Sequence, residues 1–158
     1  MTSSTTPSAP RATPTSEPDI ELIELLFFAY RDFVGEPDRI LSRHGFGRAH
    51  HRVLHFVNRH QGLNVAELLE ILEITKQSLA RVLKDLISGG FIEQRAGTED
   101  RRQRLLYLTP KGKALADALV GMQGRRMARA LAHTGPDSRT LVARFLAALV
   151  DTDRQSGS

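Results

Sequence analysis

The chain contains no cysteine, which removes disulfides, thiolate zinc sites, cysteine nucleophiles and thiol-based peroxide sensing from its chemistry. It also lacks a long apolar run. The longest, from Leu22 to Tyr30, is interrupted by Glu24 and is far too short to cross a bilayer. No basic segment followed by an apolar stretch, the mark of a secretory signal, stands at the N-terminus. These absences lead to the expectation of a cytoplasmic protein without a membrane partner. Enzyme signatures are missing as well: there is no serine-containing nucleophile elbow, phosphate-binding loop or paired-histidine-plus-glutamate metalloprotease motif. We therefore expect no catalysis and no cofactor.

What remains is a chain of 158 residues, enough for one good core and too few for a second of ordinary size. Its 22 Lys and Arg exceed its 18 Asp and Glu, for a formal net charge of +4, and the isoelectric point is near 10.0. A polyanion is a reasonable partner, although so modest an excess serves solubility equally well. Residues 1–18 are almost all Ser, Thr, Pro and Ala. Such a segment buries too little apolar surface to offset its ordering entropy, so it is expected to be a disordered tail, as are residues 154–158.

From Asp19 to about residue 34, Ile20, Leu22, Ile23, Leu25, Leu26, Phe27, Phe28, Tyr30 and Phe33 are apolar nearly all round a helical projection. A helix of that kind either threads a core or meets a second copy of the chain, and in so small a protein the second copy is the better reading. Gly35, Pro37, Gly45 and Gly47 then punctuate the chain. Ala49, Val53, Phe56, Val57 and His60 resume helical spacing in a second helix ending near Gly62.

Asn64 followed by Glu67 is a capping-box pattern, in which each side chain satisfies an orphan N–H at a helix start, and Val65, Leu68, Leu69 and Leu72 form one stripe behind it. After a break at Glu73 and Ile74, Thr75 reads as the N-cap of another short helix. Its stripe is Leu79, Val82, Leu83 and Leu86, and a left-handed residue at Gly89 or Gly90 closes it. Two short amphipathic helices joined by a tight turn are a helix-turn-helix pattern. Residues 91–95 and 104–108 read as strands on either side of a polar turn containing Gly97, a hairpin in the position of a wing.

Thr109 then caps and Pro110 opens a further helix, with Leu115, Ala118, Leu119 and Met122 as its stripe and Gly121 and Gly124 as a place for a kink. Asp137 is expected to cap a last helix, whose Leu141, Val142, Phe145, Leu146, Leu149 and Val150 are again too apolar for a free surface. The expected fold is mainly α with a small β-hairpin wing, an α+β winged helix-turn-helix. Its N- and C-terminal helices pack together for dimerisation, and its middle is left free.

The run from Asn64 to Gly112, NVAELLEILEITKQSLARVLKDLISGGFIEQRAGTEDRRQRLLYLTPKG, resembles the DNA-binding half of the MarR family. The most specific part is EDRRQRLLYLTPKG, an Asp-Arg-Arg turn followed by a strand and a Leu-Thr-x-x-Gly helix start. The flanking helices agree in order and length, so the likeness spans about residues 19–153. It implies dimerisation helices at about 19–34 and 111–153 and a winged helix-turn-helix at about 48–110. It further implies a homodimeric transcription regulator binding double-stranded DNA at a pseudo-palindromic operator, with a repressor the first expectation and an activator left open. Such regulators often release DNA when a small aromatic or other organic effector binds near the dimer and DNA-binding lobes.

The chemistry of the second short helix suits base reading. Beyond its cap Thr75, Lys76, Gln77, Ser78 and, one turn on, Arg81 lie opposite the leucine stripe. Gln pairs bidentately with adenine, Arg or Lys with guanine, and Ser with base or phosphate, while Lys84 is placed for phosphate or water. On an isolated helix the same residues are a solvated face, and it is the wing behind them that favours DNA. In the wing, Arg95, Arg101, Arg102 and Arg104, all candidate DNA contacts like Thr75 and the residues that follow it, crowd a turn that also holds Glu99 and Asp100. The resemblance implies that Asp100 pairs with a wing arginine to fix the turn and that Arg101 or Arg102 enters the minor groove. Concentrated negative potential there favours a weakly hydrated guanidinium. The alternative reading is a helical protein-interaction adaptor that uses the apolar end helices and leaves the wing idle.

Five of the 6 histidines, His44, His50, His51, His55 and His60, gather around one helix. His51 and His55 have a spacing that suits metal ligation, but without cysteine or a carboxylate at a fixed place beside them no metal site is assigned. His44, His51 and His55 are instead candidates for lining an organic-ligand pocket, against the plain alternative of structural or surface roles.

Overall fold

The computed structural model describes residues 17–151. The expected tails, 1–18 and 154–158, lie outside that range except for Glu17 and Pro18, which open the first helix. In chain order the described elements are α1 (Glu17–Ser42), α2 (Arg48–Arg59), β1 (Leu63–Asn64), α3 (Val65–Leu72), α4 (Lys76–Ser88), β2 (Ile92–Ala96), β3 (Arg104–Leu108), α5 (Pro110–Thr134) and α6 (Ser138–Leu149). The chain divides into two units, residues 1–32 and 33–158.

In the first unit, α1 starts two residues ahead of the expected Asp19, since a proline in the first turn forfeits an N–H that has no helical partner there. Leu22, Phe27, Phe28 and Tyr30 all lie more than half exposed, with Phe27 at 71%. The guanidinium of Arg31 sits 5.0 Å from the Phe28 ring centroid and donates to Asp32 at 3.0 Å.

The second unit contains the core. Here α1 continues through Gly35 and Pro37 to Ser42, where the sequence had suggested a stop near residue 34. Val34, Pro37 and Leu41 fall on one side of the helix and are buried, and that burial outweighs the single backbone hydrogen bond the proline removes. Leu41 joins Val53, Leu54 and Val57 of α2, Leu68 and Leu72 of α3, Leu79, Val82, Leu83 and Leu86 of α4, and Leu115, Ala116 and Leu119 of α5 in one apolar cluster. The buried side of α5 carries Ala116, while Ala118, expected in the stripe, is exposed. The helix runs unbroken through Gly121 and Gly124.

The expected hairpin is present and gains a strand. β2 and β3 pair antiparallel with Gln94 opposite Leu106, and β1 adds to the other edge of β3 with Leu63 opposite Leu106. Two residues are too few to show a period-two pattern, so β1 left no mark in the sequence. The hairpin turn needs its glycine, because a Cβ at Gly97 would stand 2.5 Å from the carbonyl oxygen of Asp100. At the far end of the chain, Asp137 occupies the N-cap position of α6 but makes no side-chain cap bond, contrary to expectation. Its backbone is not extended (φ −94°, ψ 3°), so the carboxylate is not aimed at the helix N–H groups. α6 buries none of its residues: Leu141 is 66% exposed and Phe145 51%.

Candidate nucleic-acid interface

Both caps of the helix-turn-helix form, with one change of detail. Asn64 Oδ1 accepts the Glu67 N–H at 2.8 Å, while the Glu67 carboxylate takes its hydrogen from the Asn64 side-chain amide instead of the Asn64 backbone. Between the helices Glu73 adopts a left-handed conformation (φ 51°), which turns the chain sharply toward α4. Thr75 Oγ1 accepts the Ser78 N–H at 3.0 Å and donates to Ser78 Oγ, also at 3.0 Å. The Thr75 hydroxyl is thus committed to starting the helix. Gly90 closes α4 with φ 78°.

The leucine stripe of α4 turns inward, and Lys76, Gln77, Arg81 and Lys84 are exposed while Ser78 is half-buried. Lys76, Ala80 and Lys84 follow at four-residue spacing toward α3. There they border a cavity of about 540 Å³ lined also by Val65, Leu69 and Ile87. Gln77 and Arg81 occupy the adjacent stripe. No hydrogen bond or ion pair joins the side chains of Lys76, Gln77, Arg81 or Lys84 to another described residue.

In the wing the four arginines separate into two pairs. Arg95 reaches Glu93 with Nε and Nη2, each at 3.3 Å, and its guanidinium lies over the Tyr107 ring. The hydrogen bond to Glu93, with that carboxylate's charge, raises the Arg95 pKa above its ordinary value. Arg104 donates to the carbonyl of Arg101 at 3.3 Å. Asp100 fixes the turn through the backbone, its Oδ1 accepting the Arg102 N–H at 2.9 Å, and a guanidinium takes no part in that bond. Arg101 and Arg102 are exposed at the tip, and neither guanidinium is joined to another described residue.

The histidines do not form one site. His44 stacks on Phe46 at 5.7 Å between centroids and meets Phe91 edge-on at 5.3 Å. His51 and His55 lie one turn apart on α2, and burial, the larger cause for each, lowers both pKa values. His55 adds to the lowering at His51, Asp38 opposes it, and Arg59 and His60 lower His55 further. Among the described residues no group of three or more His, Asp or Glu is arranged to hold a metal ion. Among the described residues His50, to which the sequence reading gave no role beyond membership of the cluster, makes the one side-chain hydrogen bond between α2 and α4, to Asp85 at 2.9 Å.

A helix-turn-helix followed by a hairpin, with free cations on the second helix and at the hairpin tip, defines a winged helix-turn-helix protein. The MarR family model matches residues 44–103. PetP of Rhodobacter capsulatus, an HTH-type transcriptional regulator, is 48% identical over 129 residues, which cover 82% of this chain and 78% of PetP. The chain belongs to the MarR family and is a transcriptional regulator, not an enzyme. Two solved structures show the same fold. A MarR mutant from E. coli complexed with operator DNA superposes with a TM-score of 0.61 at 22% identity, covering 82% of this chain and 92% of that one. NadR in complex with 4-hydroxyphenylacetate gives 0.68 at 20% identity, covering 89% and 97%.

Proposed function

We propose that the protein binds a pseudo-palindromic operator in double-stranded DNA as a homodimer and acts in the cytoplasm as a repressor. The observation that carries this is the pairing of free cations on α4 with free guanidinium groups at the wing tip, on a fold that presents both to one duplex. Gln77 and Arg81, with Lys76 and Ser78 beside them, read base edges in the major groove. Lys84 meets phosphate, Arg101 or Arg102 enters the minor groove, and Arg95, Arg104, Asp100 and Thr75 hold these elements in shape. Homodimerisation covers the apolar surfaces of α1 and α6, each too large for a free face. An adaptor that bound only protein would leave the wing tip and α4 without a role.

An anionic aromatic effector is the second part of this reading. The cavity beside α4 supports it, being apolar within and bordered by Lys76 and Lys84, as a carboxylate on an aromatic body requires. A pocket at His44, His51 and His55 has less support, since the His44 ring is already packed against Phe46 and Phe91. Selecting bound duplexes from random DNA tests the main reading. Enrichment of an inverted repeat with half-sites one helical turn apart, bound with a steep salt dependence, is the expected result. Salt-insensitive binding without enrichment would return the adaptor to first place.

A further inference from the structure

The apolar packing of α4 leaves one degree of freedom open. Leu79, Val82, Leu83 and Leu86 hold the helix down, but contacts of this kind have no preferred direction and tolerate a small rotation about the helix axis. A DNA-reading helix cannot tolerate it, because bidentate base pairing demands side chains in fixed positions. Gln77, Arg81 and Asp85 follow one another at four-residue spacing, so a directed bond at Asp85 sets the orientation of the whole stripe.

Such a bond exists. His50 Nε2 lies 2.9 Å from Asp85 Oδ2, with the imidazole mostly buried and the carboxylate about half exposed. The other ring nitrogen, Nδ1, accepts the Gly47 N–H at 3.0 Å, which leaves Nε2 to carry the hydrogen and donate it to Asp85. Phe46 stacks on the imidazole at 4.7 Å and 13° between planes, holding the ring orientation. Phe46 also meets Phe91 edge-on at 5.2 Å, and the Phe91 carbonyl accepts the Thr109 N–H where β3 leads into α5. One small cluster thus touches both the recognition helix and the root of the wing. Among the described residues, no other side-chain hydrogen bond joins residues 76–88 to a different element. A carboxylate on the DNA-reading side repels phosphate, and an inward partner gives its presence there a reason.

We infer that His50 and Asp85 are positioning residues for operator recognition: their hydrogen bond sets the rotation of α4 and so the aim of Gln77 and Arg81. This rests on the DNA-binding reading above. The test compares three full-length variants, Asp85→Leu, Asp85→Asn and His50→Phe, titrated against a selected operator and a scrambled duplex well below each melting temperature. Asp85→Leu and Asp85→Asn remove the same charge, but only the asparagine retains an oxygen to accept the imidazole hydrogen. His50→Phe keeps a ring for Phe46 to stack on and loses both hydrogen bonds.

The ratio of operator to scrambled affinity should fall about fivefold in Asp85→Leu and in His50→Phe, the equivalent of one net hydrogen bond, and stay near wild type in Asp85→Asn. The double variant Asp85→Leu with His50→Phe should be no worse than either single one. A merely structural bond would lower the melting temperature of Asp85→Leu and His50→Phe and leave the ratio alone, and that result overturns the inference. So does an Asp85→Asn ratio as low as that of Asp85→Leu. If Asp85→Leu does not fold, His50→Phe carries the same test. Failure of the wild type to distinguish the two duplexes overturns the DNA-binding reading itself and this inference with it.

Discussion

The guanidinium of Arg95 lies 4.2 Å from the centroid of the Tyr107 ring. With both oxygens of Glu93 beside it, Arg95 stiffens the paired strands and is turned from the wing tip toward the sheet. Removing it should therefore matter little to DNA. Arg95→Ala is expected to change operator affinity by less than about twofold, because it costs no phosphate contact. Fluorescence anisotropy at fixed salt measures this, and a loss as large as that of a wing-tip arginine would place Arg95 on the DNA.

The exposed apolar faces of α1 and α6 make a second prediction. Phe27 is 71% exposed and Leu141 66%, on helices whose other large side chains are also mostly uncovered. Sedimentation should show one dimeric species at micromolar concentration, and Leu141→Asp combined with Phe145→Asp should abolish it together with cooperative folding. A well-folded wild-type monomer at that concentration would end the argument for an obligate dimer.

Much of this fold was legible because its devices are local. Thr75, Asn64 and Thr109 cap the helices they precede, and Gly90 supplies the left-handed residue that ends α4. What escaped reading was tertiary in origin. Pro37 resembles a helix stop, yet its ring is buried beside Val34 and Leu41 and the helix passes through it. β1 exists only because Leu63 and Asn64 find β3. Within the site, residue type identified the cations but not their partners. Nothing in the spacing tells that Arg95 is held by Glu93 while Arg101 and Arg102 are free, nor that His50, thirty-five positions away in the chain, reaches Asp85.

The buried histidines predict the pH dependence of stability. Burial lowers the pKa of His51 and of His55 below the ordinary 6.5, so the unfolded chain binds protons more readily than the folded one. Stability is therefore full above about pH 6.5 and falls as the pH drops through the lowered folded values. Urea unfolding between pH 8 and 5 should show this loss, and His51→Leu should flatten it. An unchanged slope in His51→Leu would assign the effect to other groups.

For the effector, the cavity beside α4 makes Lys84 informative. If an aromatic carboxylate lodges there, it engages Lys76 and Lys84 and draws them from the duplex, favouring a state that DNA disfavours. Adding an aromatic carboxylate should weaken operator binding, and Lys84→Met, which also gives up one phosphate contact and so binds the operator somewhat more weakly from the start, should lose most of the further weakening that the acid causes. A full response in Lys84→Met would move the effector site elsewhere, toward His51 and His55.

The two DNA-reading elements should leave different signatures. Gln77 is exposed on α4; if it reads a base edge as proposed, Gln77→Ala should cost roughly 1 to 3 kcal/mol at the cognate base and leave binding to a scrambled duplex nearly intact. Arg101 and Arg102 carry free guanidinium groups at the wing tip, and whichever enters the minor groove neutralises phosphate charge whatever the sequence. Its replacement by alanine should weaken binding to both duplexes and flatten the salt slope by about one unit, with the largest effect where A·T pairs narrow the flanking groove. Asp100 holds the turn through backbone N–H groups alone, those of Arg102 and Gln103, so neither substitution disturbs it. Titrations of each variant at several salt concentrations against both duplexes distinguish the cases. If neither arginine variant alters affinity or slope, the wing does not touch DNA. If Gln77→Ala keeps its discrimination, base reading passes to Lys76, Ser78 or Arg81.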